Sequence, residues 1–153
     1  MIWMAIDPGV RCCGWALFTD DKFVRCGLSR RAAALKEDLA GFRAMISAMP
    51  GREMQIVERP QIYRQSRSKG DPEDLARLLI LCGMLAERHK STTLVIPHRW
   101  KGTIPKTAKL QDYVIHRRNE KSFGNYLPTG IPTALAHNVA DAVGIGLWWL
   151  QHN

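Results

Sequence analysis

Cysteine is scarce in this sequence, and none of it is spaced for chemistry. The four Cys, at 12, 13, 26 and 82, form no CxxC and have no histidine partner at zinc spacing. That pattern argues against a disulfide framework or a zinc site and reads as reduced core thiols of a cytoplasmic protein. No apolar run approaches the ~20 residues that a membrane span needs, so no membrane partner is expected. Met1 to Ile6 lacks a basic region and runs straight into Asp7, which is not the layout of a signal peptide. There is no internal repeat and no low-complexity tract. With 46% hydrophobic and 24% charged residues the composition is that of a folded protein. The 153 residues read as one domain, 1–153, long enough to bury roughly 70% of the unfolded surface.

Acidic residues are missing from two stretches in particular. Residues 1–58 are nearly neutral, with 8 basic and 7 acidic side chains. Residues 88–140 carry 9 basic side chains against only Asp112 and Glu120. The block from Arg59 to Lys69 holds Arg59, Arg64, Arg67 and Lys69 with no acid. Two acid-poor blocks in a chain of net charge +8 point to a polyanionic partner.

The pattern of apolar residues and breakers gives an element order. Ile2–Ile6 reads as a strand stopped by Asp7-Pro8-Gly9, Gly14–Phe18 as a second, and Phe23–Leu28 as a third after an Asp20-Asp21 turn. Short connections between neighbouring strands predict an antiparallel meander. Leu35, Leu39, Phe42, Met45, Ile46 and Met49 predict a helix over 32–49, ended by Pro50-Gly51. Met54–Val57 is a fourth strand, and residues 60–70 form a polar basic loop. Asp71-Pro72-Glu73-Asp74 is a helix start with an Asp N-cap, Pro in the first turn and acids at the positive end of the dipole. That helix runs to about Arg88, and Thr92–Ile96 is a fifth strand. A helix is expected over 106–118, a loop over 123–132 and a largely apolar helix over 133–150. The fold class is α/β: a mixed five-stranded sheet, three strands antiparallel and then parallel, flanked by helices.

Three acidic residues occupy unusual places. Asp7 and Glu58 end the first and fourth strands, and Asp141 lies among Val139, Ala140, Ala142 and Val143 in the last helix. A carboxylate in so apolar a setting needs a partner. If strands one and four are neighbours, Asp7 and Glu58 share one edge of the sheet and the last helix can bring Asp141 to them. Clustered carboxylates raise one another's pKa unless a cation neutralises them, and hard oxygen ligands select Mg²⁺, with Mn²⁺ as an alternative. Two such ions ~4 Å apart can clamp both oxygens of an in-line phosphoryl displacement.

Ile6-Asp7-Pro8-Gly9, then Gly14-Trp15-Ala16, then Val57-Glu58, then Ala140-Asp141-Ala142 resembles the RuvC-type Holliday junction resolvases of the RNase H-like superfamily. The resemblance spans nearly the whole chain. Pro97-His98-Arg99-Trp100-Lys101-Gly102, followed by Pro105-Lys106, resembles a segment of phage-type members, which would place the protein in a host cytoplasm. The resemblance implies an RNase H-like fold, a homodimer through the helix that holds Gly83, Mg²⁺ dependence and paired nicking of four-way DNA junctions. It implies Asp7, Glu58 and Asp141 as catalytic metal ligands.

The family usually places a fourth ligand, Asp or His, three residues before the last Asp. Here that position is Asn138, with His137 beside it, and on a helix both lie on the face of Asp141. His137 could ligate Mn²⁺ or act as a base, and Asn138 could offer a carbonyl oxygen. The family also carries an aromatic three residues past the Glu to hold the junction open. Here that position is Gln61 and the aromatic is Tyr63. Arg59, Tyr63, Arg64, Arg67, Lys69 and Lys101 are expected to face DNA, and Lys106 and Lys109 to meet the scissile phosphate. Two readings compete with the resolvase: an RNase H-type nuclease on RNA–DNA hybrids, and a catalytically silent junction-binding protein. An actin-like phosphate-binding fold also opens with a strand–Asp–Gly turn, but the chain is too short for its two lobes.

Overall fold

The computed structural model describes residues 1–35, 37–61, 71–101, 123 and 126–153. Its centre is a five-stranded sheet in the order β3-β2-β1-β4-β5. The strands are β1 (Ile2–Asp7), β2 (Cys12–Thr19), β3 (Lys22–Arg30), β4 (Met54–Glu58) and β5 (Thr92–Val95). β1–β2 and β2–β3 pair antiparallel, and β1–β4 and β4–β5 pair parallel. β1 lies in the middle, which is why its sequence is a continuous apolar run: Trp3 to Ile6 are buried on both faces. The edge strand β3 alternates charge and bulk instead, with Lys22, Arg25 and Arg30 exposed along it, a composition that discourages pairing with another chain.

Helices α1 (Asp38–Ser47) and α2 (Pro72–Arg88) make the two parallel crossovers. Successive right-handed crossovers in the same direction put both helices on the same face. There Phe42, Met45, Leu81 and Leu85 cover Met4, Ile6, Leu17 and Val57. A short helix α3 (Pro97–Lys101) follows β5, and α4 (Ala136–His152), entered through a 3-10 turn at Thr133–Leu135, covers the opposite face. Its Val139, Ala142, Val143 and Ile145 pack on Trp3, Ala5, Phe18 and Ile56. Among the described residues no helix is long and apolar enough to cross a membrane. All four cysteines are buried free thiols.

The structure differs from the sequence pattern at two helices. The helix expected over 32–49 begins only at Asp38. Arg31 is the reason: its Nε and Nη2 hold the Leu35 carbonyl at 3.2 and 3.1 Å, and its Nη1 meets Asp38 Oδ1 at 2.6 Å. That carbonyl is thereby committed to the guanidinium, and the Ala32–Leu35 segment stays a turn, closed by Leu35 N–H to Ala32 O at 3.0 Å. Leu39, expected on the inward face, is exposed. The second difference is α3. Pro97 reads in the sequence as the end of the fifth strand, but Pro is also favoured in the first turn of a helix, and that is its place here. The α2 start follows the sequence signal: Asp71 Oδ1 accepts from Glu73 N–H at 3.0 Å, with Pro72 in the first turn. The helix expected over 106–118 and most of the basic loop lie outside the described residues.

Candidate active site

Strand parity builds the site. Along β1, Trp3 and Ala5 face α4 while Met4 and Ile6 face α1 and α2; the next residue, Asp7, therefore faces α4. Along β4, Ile56 faces α4 and Val57 the other side, so Glu58 also faces α4. Ile6 pairs with Val57 in the parallel register. One step further, Asp7 and Glu58 emerge side by side at the carboxyl ends of adjacent strands.

Asp141 arrives from the helix above. Its placement depends on Gly14, the strand partner of Asp7. A Cβ on Gly14 would collide with the Asn138 carbonyl, so only glycine lets the first turn of α4 approach so closely. From there Asp141, one turn on from Asn138, is buried at 2% exposure.

α3 completes the group. Glu58 pairs with Val95 of β5, and α3 starts two residues later, so its side chains return over the end of β4. The Trp100 indole N–H donates a short hydrogen bond to Glu58 Oε2. Lys101 Nζ lies 2.8 Å from Asp141 Oδ2 and 3.6 Å from Glu58 Oε2. The ammonium also sits 4.6 Å from the Trp100 ring centroid.

The electrostatics are those of crowded carboxylates. Burial, then Glu58 and Asp141, push the Asp7 carboxyl well above its ordinary range, and Lys101 does not offset them. Burial also raises Glu58, against the opposing pull of Lys101 and of the Trp100 hydrogen bond. Burial works against the Lys101 charge, but Glu58, Asp141 and Asp7 outweigh it and hold the ammonium protonated beyond the usual lysine range. Among the described residues no three His, Cys, Asp or Glu side chains already form a metal shell; Lys101 bridges two of the carboxylates. The donor chemistry nonetheless fits a hard divalent cation. Asp7, Glu58 and Asp141 are all oxygen ligands, and the ionised state of Asp7 and Glu58 is disfavoured until more positive charge reaches them.

The other expected residues are placed as follows. Asn138 Nδ2 points to Cys12 Sγ at 3.4 Å, and His137 is half-buried in the first turn of α4. Arg59 is exposed, with its backbone N–H on the Val95 carbonyl at 2.9 Å. Lys101 is 16% exposed and turned into the carboxylates, where an outward DNA contact is the sequence expectation. Tyr63, Arg64, Arg67, Lys69, Lys106 and Lys109 lie outside the described residues. Trp100 is the residue that sequence reasoning missed. Its signal was position: an indole immediately before Lys101, just past the strand that neighbours Glu58.

A mixed sheet of this order, flanked by helices on both faces, is an α/β fold of the RuvC-like kind. The fowlpox virus resolvase, solved with Holliday junction DNA, is similar in fold at a TM-score of 0.59 and 11% identity, over 99% of this chain and 98% of that one. Thermus thermophilus RuvC, solved in complex with a Holliday junction substrate, is similar at a TM-score of 0.55 and 16% identity, over 97% and 92%. A further Thermus thermophilus RuvC structure is similar at a TM-score of 0.53 and 17% identity. No protein-family model and no curated protein matches the sequence.

Proposed function

We propose that the protein is a divalent-metal-dependent DNA endonuclease that resolves four-way junctions by paired nicks, working as a single nuclease domain. The observation that carries this reading is the convergence of Asp7, Glu58 and Asp141 at one edge of a RuvC-like sheet. In it these three carboxylates hold Mg²⁺ or Mn²⁺, with His137 or Asn138 assisting. When bound, such an ion supplies Lewis-acid polarisation of the phosphodiester and a lower pKa for water, so no covalent enzyme intermediate is needed. Lys101 keeps Glu58 and Asp141 oriented and stands ready to meet a phosphate oxygen. Arg59, Tyr63, Arg64, Arg67, Lys69, Lys106 and Lys109 neutralise or stack on DNA around the cut.

The chain acts as a homodimer through α2. Ala76, Leu79, Ile80 and Gly83 form an exposed stripe along that helix, and a Cβ on Gly83 would meet nothing. A second helix can therefore approach closely there. Four buried free thiols suit a reducing cytoplasm.

The test is incubation with a labelled four-way junction, a linear duplex and an RNA–DNA hybrid, each with and without Mg²⁺. Symmetric Mg²⁺-dependent nicks in the junction support the reading. Preferential cutting of the hybrid replaces it with an RNase H activity. Tight junction binding without cleavage replaces it with a silent binding protein.

A further inference from the structure

The proposed metal chemistry uses the three carboxylates but gives no role to Trp100. Its indole N–H and the Lys101 ammonium both fall on the same atom, Glu58 Oε2. Among the described residues no donor meets Oε1. The ring is itself locked. It packs in the cluster beneath α4, carries Lys101 on its face, and fits only because position 144 is glycine. A Cβ there would stand 2.7 Å from Trp100 Cζ3.

We propose that Trp100 is a positioning residue for the metal site, fixing the Glu58 carboxylate through Oε2 so that Oε1 is the oxygen left for a divalent cation. The side-chain type suits the task. An indole N–H donates but has no lone pair with which to compete for the ion. It carries no charge that would repel the ion, as a second lysine would. A neutral donor of this kind holds one rotamer of the carboxylate without occupying its second oxygen. Outer-shell partners of metal ligands typically govern affinity by 10–100-fold. Gly144 takes part indirectly, by reserving the space in which the indole stands.

This inference rests on the metal-dependent reading above, and the experiment separates the two. Mn²⁺ is titrated calorimetrically into the full chain and into Trp100→Phe, which keeps an aromatic ring beside Gly144 and removes the N–H. The expected result is Mn²⁺ affinity roughly tenfold or more weaker in the variant, with junction affinity in EDTA unchanged. Equal Mn²⁺ affinity in a folded Trp100→Phe protein overturns the role of Trp100 while leaving the metal reading intact. No Mn²⁺ uptake by the unaltered chain overturns the metal reading, and this inference with it. Should Trp100→Phe fail to fold, the indole ¹⁵N–¹H resonances of the unaltered chain decide. The Trp100 signal is expected to shift on Mg²⁺ addition and to exchange slowly with solvent; a signal that Mg²⁺ leaves in place overturns the proposal.

Discussion

On the face covered by α1 and α2, Met4, Ile6, Cys13, Leu17 and Val57 meet Phe42, Met45, Leu81 and Leu85, and this face is apolar at the carboxyl ends of β1 and β4; its buried amide, Gln55, lies further back on β4 and donates to the Leu85 carbonyl. On the face covered by α4, Trp3, Ala5, Ala16, Phe18 and Ile56 begin in the same way. The next inward positions there are Asp7 and Glu58. Both faces use alternate residues of the same strands, so backbone geometry cannot account for the difference. One face keeps apolar side chains to the carboxyl ends of its strands. The other gives up its last layer of packing to carboxylates, and the raised pKa of Asp7 and of Glu58 is the energetic trace of that exchange.

The sharpest way to separate the faces is Asp7→Asn. Cleavage of a four-way junction is expected to fall by at least ~10²–10³-fold, the scale of removing one strong electrostatic stabiliser, while junction binding in EDTA persists. Stability should move the opposite way. The folded Asp7 pKa is raised, so its burial is tolerated below the ordinary carboxylate range and destabilises as pH rises through the raised value. In EDTA the variant is therefore expected to melt above the unaltered protein at pH 8, with the advantage vanishing toward pH 4. Retained cleavage would remove Asp7 from the site.

Phe42→Ala probes the other face. The ring is fully buried, and its loss is expected to lower stability by about 3–5 kcal/mol. Mn²⁺ affinity of the folded fraction should not change, as denaturant melts paired with calorimetry would show. A coupled loss of metal binding would mean the faces are not independent.

Lys101→Met is expected to be smaller. Removing the ammonium leaves Glu58 and Asp141 without that partner and lowers stability in EDTA by about 1–3 kcal/mol. Mg²⁺ should then raise the melting temperature more in the variant than in the unaltered chain, because it replaces a missing positive charge. An equal Mg²⁺ effect in both would count against an ion and Lys101 sharing the same carboxylates.

Smallest of all is Asp38→Asn, at the outer edge of the α1–α2 face. Arg31, then Arg77, hold the Asp38 carboxyl below its ordinary value. Its contribution is present above the unfolded value of 3.8 and is lost as pH falls through the lowered folded one. The exposed pair should shift the acid-unfolding midpoint slightly and leave neutral stability nearly unchanged. A large loss at neutral pH would show that the Arg31 staple, not core packing, holds α1 in place.

Local chemistry made much of this readable from sequence. The strands follow from alternation and turn residues, and α2 from Asp71 and Pro72. Asp7, Glu58 and Asp141 stood out because each is polar where its element is apolar. The late start of α1 was hidden, since it depends on where one arginine side chain sends its hydrogen bonds. Trp100 was hidden too: its partner Glu58 is near only because β5 lies beside β4.

The distance along the chain between Asp7 and Asp141 also sets a timetable. Ribosomes add about 5–20 residues per second, so the helix that bears Asp141 emerges on the order of ten seconds after the first strand. Until then Asp7 and Glu58 can stand hydrated, with neither Asp141 above them nor α4 sealing the sheet. The repulsive cluster is assembled only once α4 has emerged, when most of the apolar core is available to bear its cost. A chain that stops short of α4 is thus a sheet without chemistry, and the proposed nuclease would be harmless to nucleic acid until that helix has been made.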